Sequence, residues 1–413
     1  MMVDYLFRCG RLITPQAPCE LGAGANLLTK EDWGLAVAGG RIVDVGEWSK
    51  LRGVHEPRGV IDFSDYSVFP GLVDPHTHLL YYGNRSDELA WKLEGLSYTE
   101  IAARGGGIMR TVRYTRSAAD DELLAASAKR VRGLLSSGVT TLEIKSGYGL
   151  SFDSEVRLLS LINTLKERVE ARVLSTLLSA HAVPEEYGGH VSDYIEQVVL
   201  RTVDYASTTR LADFVDVFCE PGYFSVEEAR RILVYAKQRG MNVRLHADEF
   251  QDSGGAALAA EVGALSADHL AQANPHGLAR MAERGVVGVI LPLLFHYSMI
   301  KPPPVDKFRV KGLVIGLGTD LNPNCQADSM LAAMNHAVYA LRLRPAEALC
   351  AASVNSALAL GLSDVGCLKP GYSADIAVYD VEGEADLVSR LGRSPLVFSM
   401  CRGRPIRNEG VNI

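Results

Sequence analysis

No cysteine pair with CxxC spacing occurs in the 413 residues, and the seven cysteines (Cys9, Cys19, Cys219, Cys325, Cys350, Cys367, Cys401) are scattered. Their odd number and spacing argue against a disulfide framework. No uncharged stretch is long enough to cross a bilayer, and no apolar run follows a basic start. No basic stripe and no platform of aromatics with arginines is present; acids and bases intersperse at a net charge of −7. Nucleic acid and membrane are therefore not expected partners. No glycine-rich nucleotide turn follows an early strand, which argues against a doubly wound dinucleotide fold, the competing α/β architecture. What remains is a soluble chain, expected in a reducing cytoplasm. Its 47% hydrophobic content is ample for a large core.

What is present is a regular alternation of patterns. Residues 1 to about 66 are β-rich, with short apolar runs at Tyr5-Leu6-Phe7-Arg8-Cys9 and Gly34-Leu35-Ala36-Val37. Gly39-Gly40 reads as a hairpin turn before the alternating Arg41-Ile42-Val43-Asp44-Val45. Ser373 to Tyr379 and Leu396 to Met400 have the same texture. Both termini, residues 1–66 and 366–413, are thus expected to join in one small β-sandwich. Between them, residues 67–365 read as strands near 139–145, 172–180, 214–218, 243–246, 264–268, 286–291 and 313–317, mostly separated by helices. Ser225 with Glu228 has the spacing of a capping box, and Ser117 reads as the cap of a helix from about Asp120 to Ser137, stopped by Gly138. With an opening strand into His76 the count is about eight, the pattern of an α/β chain folded as a (β/α)₈ TIM-type barrel. The segment after His78, with Asn84-Arg85 and Arg104 to Gly107, reads as a long polar loop.

The chemistry concentrates at the predicted strand ends. Val73-Asp74-Pro75-His76-Thr77-His78-Leu79 reads as a strand closing on two histidines at i and i+2, on one face. Lys145, His181, Glu220, His246, His269 and Asp320 also fall at or just past strand ends. In a barrel all these ends surround one mouth. His76, His78, His246 and Asp320 supply three nitrogens and one carboxylate, a set that suits one divalent ion, Zn²⁺ or Fe²⁺. Taken singly, His246 reads equally as a hydrogen-bonded structural histidine and Asp320 as a helix cap. A second, lysine-bridged ion is not expected, because Phe218 to Gly222 contains no lysine. A bound ion would bring the pKa of its water from near 16 to about 7. Asp320 could take the proton, Glu249 could pass one to a leaving nitrogen, and His269 could orient the attacking oxygen or polarise a carbonyl. Such proton transfer is worth roughly 10²–10⁴-fold. A solvated loop acid and a satisfied core histidine are the other readings of Glu249 and His269.

Several longer motifs carry a resemblance. They are Gly83-Asn84-Arg85, Arg104 to Thr115 (RGGGIMRTVRYT), Glu143 to Leu150 (EIKSGYGL), Ser179 to Pro184, His246 to Phe250 (HADEF), Leu265 to Leu270 (LSADHL) and Gly318 to Pro323 (GTDLNP). With the Pro70 to His78 opening and the Gly366 to Asp375 return segment, the chain resembles the amidohydrolase superfamily and, within it, the imidazolonepropionase family. The resemblance implies a metal-dependent barrel and hydrolysis of 4-imidazolone-5-propanoate to N-formimidoyl-L-glutamate. A related hydantoin- or imidazolone-like heterocycle is the alternative substrate. By position it implies metal binding by His76, His78, His246 and Asp320, and substrate contacts from Arg85, Tyr148, His181, Glu249 and Asn322. The substrate would carry a carboxylate tail, for which an arginine fork is a suitable partner. A homodimer is a further expectation of the family.

Two stretches depart from that pattern. Pro292-Leu293-Leu294-Phe295-His296 stands where the family usually has Pro-Gly-Thr, and Asn322-Pro323-Asn324-Cys325 where it has Asn-Pro-Gly and then Ser or Thr. Leu293 and Leu294 are expected to make the pocket wall larger and more apolar. Asn324 is expected to add a side chain to it, and His296 either to add a titratable group or to face away.

Overall fold

The computed structural model describes residues 1–406 apart from Ala23 and Ser97, and apart from the side chains of Tyr98, Thr99 and Ala102. Residues 407–413, the end of the expected 366–413 segment, lie outside the described residues.

Two sheets organise the chain. The first has seven strands, in the order β15-β14-β13-β4-β1-β2-β3. Its N-terminal members are β1 (Met2–Pro15), β2 (Leu27–Ala38), β3 (Arg41–Glu47) and β4 (Glu56–Pro70). Its C-terminal members are β13 (Ile376–Tyr379), β14 (Leu396–Cys401) and β15 (Arg404–Pro405). Gly39 and Gly40, at φ +58° and +76°, make the tight turn between β2 and β3 that the Gly-Gly pair predicts. The termini join where β13 pairs antiparallel with Ser67 to Pro70 of β4 and where Arg41 bridges Ser373.

That sheet curls over its own inner face. Phe398 on β14 and Phe7 on β1 are three strands apart, roughly 14 Å in a flat sheet. Their ring centroids lie 6.1 Å apart, and Phe63 of β4 stands between them at 5.2 Å and 6.2 Å. One folded sheet thereby encloses the core expected of a β-sandwich.

The second sheet is the barrel, with eight parallel strands in sequence order. They are β5 (Leu72–Asp74), β6 (Val139–Lys145), β7 (Arg172–Ala180), β8 (Phe214–Cys219), β9 (Asn242–Ala247), β10 (Ser266–His269), β11 (Val287–Ile290) and β12 (Ile315–Leu317). It closes where Thr77 bridges Leu321, with His78 N donating to Leu321 O at 2.9 Å and Asp320 N to His76 O at 3.2 Å. The closure therefore occurs at the histidines. The strand itself stops at Asp74, and His76 and His78 lie just beyond it.

Two local expectations are corrected. The segment after His78 is helical, with helices Glu88–Leu93, Tyr98–Ala103 and Gly107–Ser117. Gly105 and Gly107, at φ +83° and +70°, break it into helices. Ser117 ends the last of these, its hydroxyl donating to Tyr114 O at 3.1 Å. The helix Asp120–Leu135 is opened by Glu122, whose carboxylate accepts from Ala119 N at 3.0 Å. The capping box of Ser225 and Glu228 is present, with Ser225 N donating to Glu228 Oε2 at 2.7 Å.

Candidate metal centre and active site

Three imidazoles converge at the barrel mouth. Nε2 of His78 lies 3.2 Å from Nε2 of His76 and 3.1 Å from Nε2 of His246. Asp320 Oδ1 lies 3.7 Å from Nε2 of His76 and 3.8 Å from Nε2 of His78. His76 and His246 are also grouped closely with His269, so five potential ligands surround one space. Two of them, His269 and Asp320, hold left-handed backbone at φ +74° and +54°. Such strain in residues other than glycine is retained where the surrounding structure fixes it.

The opposite edges of two rings explain why these nitrogens face inward. His76 Nδ1 sits 2.6 Å from Asp268 Oδ2, and His246 Nδ1 sits 3.1 Å from Asp216 Oδ1. A carboxylate that accepts Nδ1–H leaves Nε2 as a bare lone pair. Beneath, Lys145 Nζ donates to Glu143 at 2.9 Å and to Asp216 at 2.8 Å, and Arg244 Nη2 donates to Asp268 at 2.9 Å. All five charged side chains have 0% exposure. Burial works against ionising Asp216, but His246 and Lys145 outweigh it and hold its carboxyl well below the usual range.

This donor set fits a metal ion. Burial above all, then neighbouring positive groups, holds His76 and His78 far below the ordinary histidine pKa, so both are neutral. With Nδ1–H engaged, His76 and His246 have no hydrogen to place between the facing nitrogens. One hydrogen on His78 serves one neighbour at a time. A cation satisfies all three lone pairs together. Nitrogens about 2.1 Å from one zinc ion at tetrahedral angles lie about 3.4 Å apart, close to the spacing here.

The centre forms one wall of a cavity of about 320 Å³. Of the residues predicted for the site, His78, Tyr148, His181, His246, Glu249, His269, Asp320 and Asn322 line it. Fully buried His76 stands behind them. Arg85 is not among the lining residues; its Nε donates to both oxygens of buried Glu88, at 3.0 Å and 3.1 Å. Lys145 lies under the imidazoles within its ion pairs. Leu294 and Asn324 line the cavity, whereas Leu293 and Cys325 do not. Leu294 lies on a short helix, Pro292–Tyr297, and His296 faces His336, ring centroids 5.4 Å apart.

Local structure positions the other groups. In the turn after β6, Glu155 accepts from Gly147 N, Gly149 N and Leu150 N at 2.7–3.0 Å. Gly147 has φ +100°, and a Cβ there would come within 3.0 Å of His181 Nδ1. That nitrogen instead sits 2.9 Å from Gly147 O, and burial pushes the imidazole down to about 3, so it is neutral. Glu220 accepts from Glu249 N at 3.0 Å and Gln251 N at 2.8 Å, which fixes the loop carrying Glu249. Burial first, then Asp320 and Glu220, raises the Glu249 carboxyl well above the usual range. His269 Nδ1 is 3.6 Å from Glu249 Oε2, and neither of its ring nitrogens has a hydrogen-bond partner among the described residues.

Tyr297 and Lys92 are among the cavity residues not foreseen from the sequence. Tyr297 donates its hydroxyl to Asp320 Oδ2 at 2.7 Å, and Lys92 donates to Asn324 Oδ1 at 2.6 Å. Both come from segments whose helices place them, and neither stands in a chemical motif.

A family model described as the amidohydrolase family matches residues 86–391. The chain is 42% identical over 399 residues to an imidazolonepropionase of Maricaulis maris, a match covering 96% of this chain and 98% of the relative. It is 40% identical to an imidazolonepropionase of Pyrobaculum arsenaticum, covering 91% and 93%. Among solved structures, atrazine chlorohydrolase TrzN from Arthrobacter aurescens, complexed with zinc, superposes with a TM-score of 0.78 at 19% identity, covering 98% and 96%. An adenosine deaminase from Xanthomonas campestris with bound zinc gives 0.75 at 18%, covering 100% and 94%. At these identities the two structures share the fold. Near full-length relatedness at about 40% identity, with the matched family model, makes the chain a member of the amidohydrolase family, in its imidazolonepropionase branch.

Proposed function

We propose that the chain hydrolyses 4-imidazolone-5-propanoate to N-formimidoyl-L-glutamate, with one divalent ion, zinc or iron, held by His76, His78, His246 and Asp320. The observation that supports this best is the meeting of three lone-pair nitrogens and one carboxylate oxygen in the wall of a cavity lined by polar, aromatic and aliphatic side chains. A bound ion would polarise the ring carbonyl and bring water to a pKa of about 7. In the overall reaction, water oxygen bonds to the ring carbonyl carbon, the ring C–N bond breaks, and the leaving nitrogen takes a proton.

The side chains have distinct parts in this. Tyr297 holds Oδ2 of Asp320, so Oδ1 turns toward the imidazoles. Asp320 accepts a proton from the attacking water. Glu249, whose carboxyl burial raises well above the usual range, delivers one to the leaving nitrogen. Neutral His269, with both ring nitrogens available among the described residues, orients the carbonyl or the attacking oxygen. Tyr148, His181 and Asn322 hold the ring, and Arg85 stands behind the wall with Glu88. The aromatic and aliphatic lining keeps bulk water away from these transfers.

The test is turnover of imidazolone propionate, hydantoin propionate and guanine by one preparation, with elemental analysis of the same sample. About one metal per chain and preference for the first substrate are expected. Glu249→Gln should keep the metal and lower kcat by roughly 10²-fold or more. Wild-type kcat in that variant would remove Glu249 from the chemistry.

A further inference from the structure

The cysteines are scattered along the chain, yet three of them meet in the fold. Cys19, Cys350 and Cys367 form one small buried cluster with Val354. Each arrives on a different segment. Cys19 lies in the connection 16–26 between β1 and β2, Cys350 in the helical run 345–359 that packs against β12, and Cys367 in the segment leading to β13. The connection is anchored at the start of β12, the end opposite Asp320. There Glu20 bridges Val314, and Asn355 Nδ2 donates both to Cys19 O at 2.9 Å and to Ile315 O at 2.7 Å. Cys19 N donates back to Asn355 Oδ1 at 3.0 Å. This clamp holds the Cys19 and Cys350 thiols in hydrogen-bond contact with each other.

We infer that Cys19 and Cys350 form an oxidation site, which peroxide converts into a disulfide stapling the β1–β2 connection to the helical run behind β12. Thiols already in contact need only a short approach to bond. Cys19 can make it, because its neighbours Ala17 and Pro18 are exposed and unconfined on the outer side. Cys19 is also the one a small oxidant meets first, at 9% exposure against 0% for Cys350. The hydrogen bond from Cys350 holds the Cys19 thiol below its ordinary pKa, against burial and Glu347, and the same contact pushes Cys350 up. Cys19 is therefore the attacking thiolate and Cys350 the resolving thiol. The Cys19 sulfur attacks a peroxide oxygen, the O–O bond breaks, and the departing hydroxide takes a proton to become water. Cys350 then gives up its proton and attacks the Cys19 sulfenic sulfur; the S–S bond forms, the S–O bond breaks, and a second water leaves. The two sulfurs lose two electrons in all, and hydrogen peroxide accepts both. Cys325, the most exposed cysteine, lacks this activation: burial, then Asp320, raises its thiol to about 12.

The experiment titrates the full chain, purified under reductant and then freed of it, with hydrogen peroxide, and alkylates the remaining thiols. Trypsin leaves Cys350 and Cys367 on one peptide, so a further cut at Asp364 separates them for mass spectrometry. The expected result is joint loss of the Cys19 and Cys350 thiols, ahead of Cys325, with a Cys19–Cys350 linked peptide that dithiothreitol reverses. Dimedone should trap a sulfenic acid on Cys19 in Cys350→Ser. Cys350 should stay a thiol in Cys19→Ser, and Cys367→Ser should cross-link as wild type does. Because the link ties positions far apart in the chain, it should raise the apparent unfolding temperature by several degrees. The same peroxide dose should leave that of Cys19→Ser unchanged. The wild-type peptide map decides even where a serine variant folds poorly. The inference is overturned if Cys19 and Cys350 remain thiols at the dose that oxidises Cys325, or if Cys350 bonds to Cys367 instead. A link between two chains, or a cross-linked chain that unfolds no later than the reduced one, overturns it equally.

Discussion

The inside of the terminal sheet and the inside of the barrel are both dry, yet they are filled with opposite materials. Phe7, Phe63 and Phe398 meet ring to ring in the sheet, with Leu12, Val37, Ile376 and Met400 around them. Under the imidazoles of the barrel lie Glu143, Lys145, Asp216, Arg244 and Asp268, none of them exposed. The first interior gains stability from every apolar surface it hides. The second is at best neutral for stability, because desolvating ions offsets most of their attraction. What the barrel gains is aim: two of its carboxylates set the tautomer and orientation of His76 and His246. One interior is built to hold, the other to point.

Mutations can break that contrast. The largest effect is expected from His246→Ala, which should lose metal and activity together; elemental analysis beside a turnover assay checks it. Lys145→Met cuts the network one layer below. It should cost about 3–5 kcal/mol in denaturant unfolding, because it leaves buried carboxylates without their cation. It should also weaken metal binding by roughly 10–100-fold, read by competition with a chelator. If stability falls while metal affinity stays, the network is only structural and the contrast collapses. Phe7→Ala is the converse. It should cost about 3–5 kcal/mol, with metal content and kcat of the folded fraction unchanged.

The smallest effect sharpens the comparison at the cavity wall. Leu294→Thr with Asn324→Gly restores the usual family residues at two lining positions. Altered contacts of this kind shift discrimination by about 1–3 kcal/mol each. We expect kcat/KM on imidazolone propionate to change relative to hydantoin propionate, without loss of metal. Equal ratios before and after would make these departures drift.

Much of this was legible in the chain because burial and chemistry left separate marks. The strands Val139–Lys145 and Arg172–Ala180 can be read to their ends, since β-branched and aliphatic residues recur through both. The four candidate ligands could be read because they fall at or just past the ends of three strands, β5, β9 and β12, and strand ends share a mouth in a barrel. The helices between Glu88 and Ser117 were hidden by glycines that punctuate helices but also suit loops. Lys92 was lost with them. Asp216 and Asp268 carry a usable signal, a charge within a strand otherwise buried on both faces. Only knowing what stands opposite turns that signal into a role. Tyr297 had none, because its function depends on where a short helix ends.

The pairing of β13 with β4 has a consequence measured in time. Pro70 and Ile376 are partners, and 306 residues separate them in the chain. At about 5–20 residues per second, the ribosome needs on the order of 15–60 s to deliver the partner strand. Until then Ser67 to Pro70 is an open edge on a nascent sheet, able to pair with whatever strand arrives first. The short contact limits that exposure to four residues, and they lie immediately before the chain turns into the barrel.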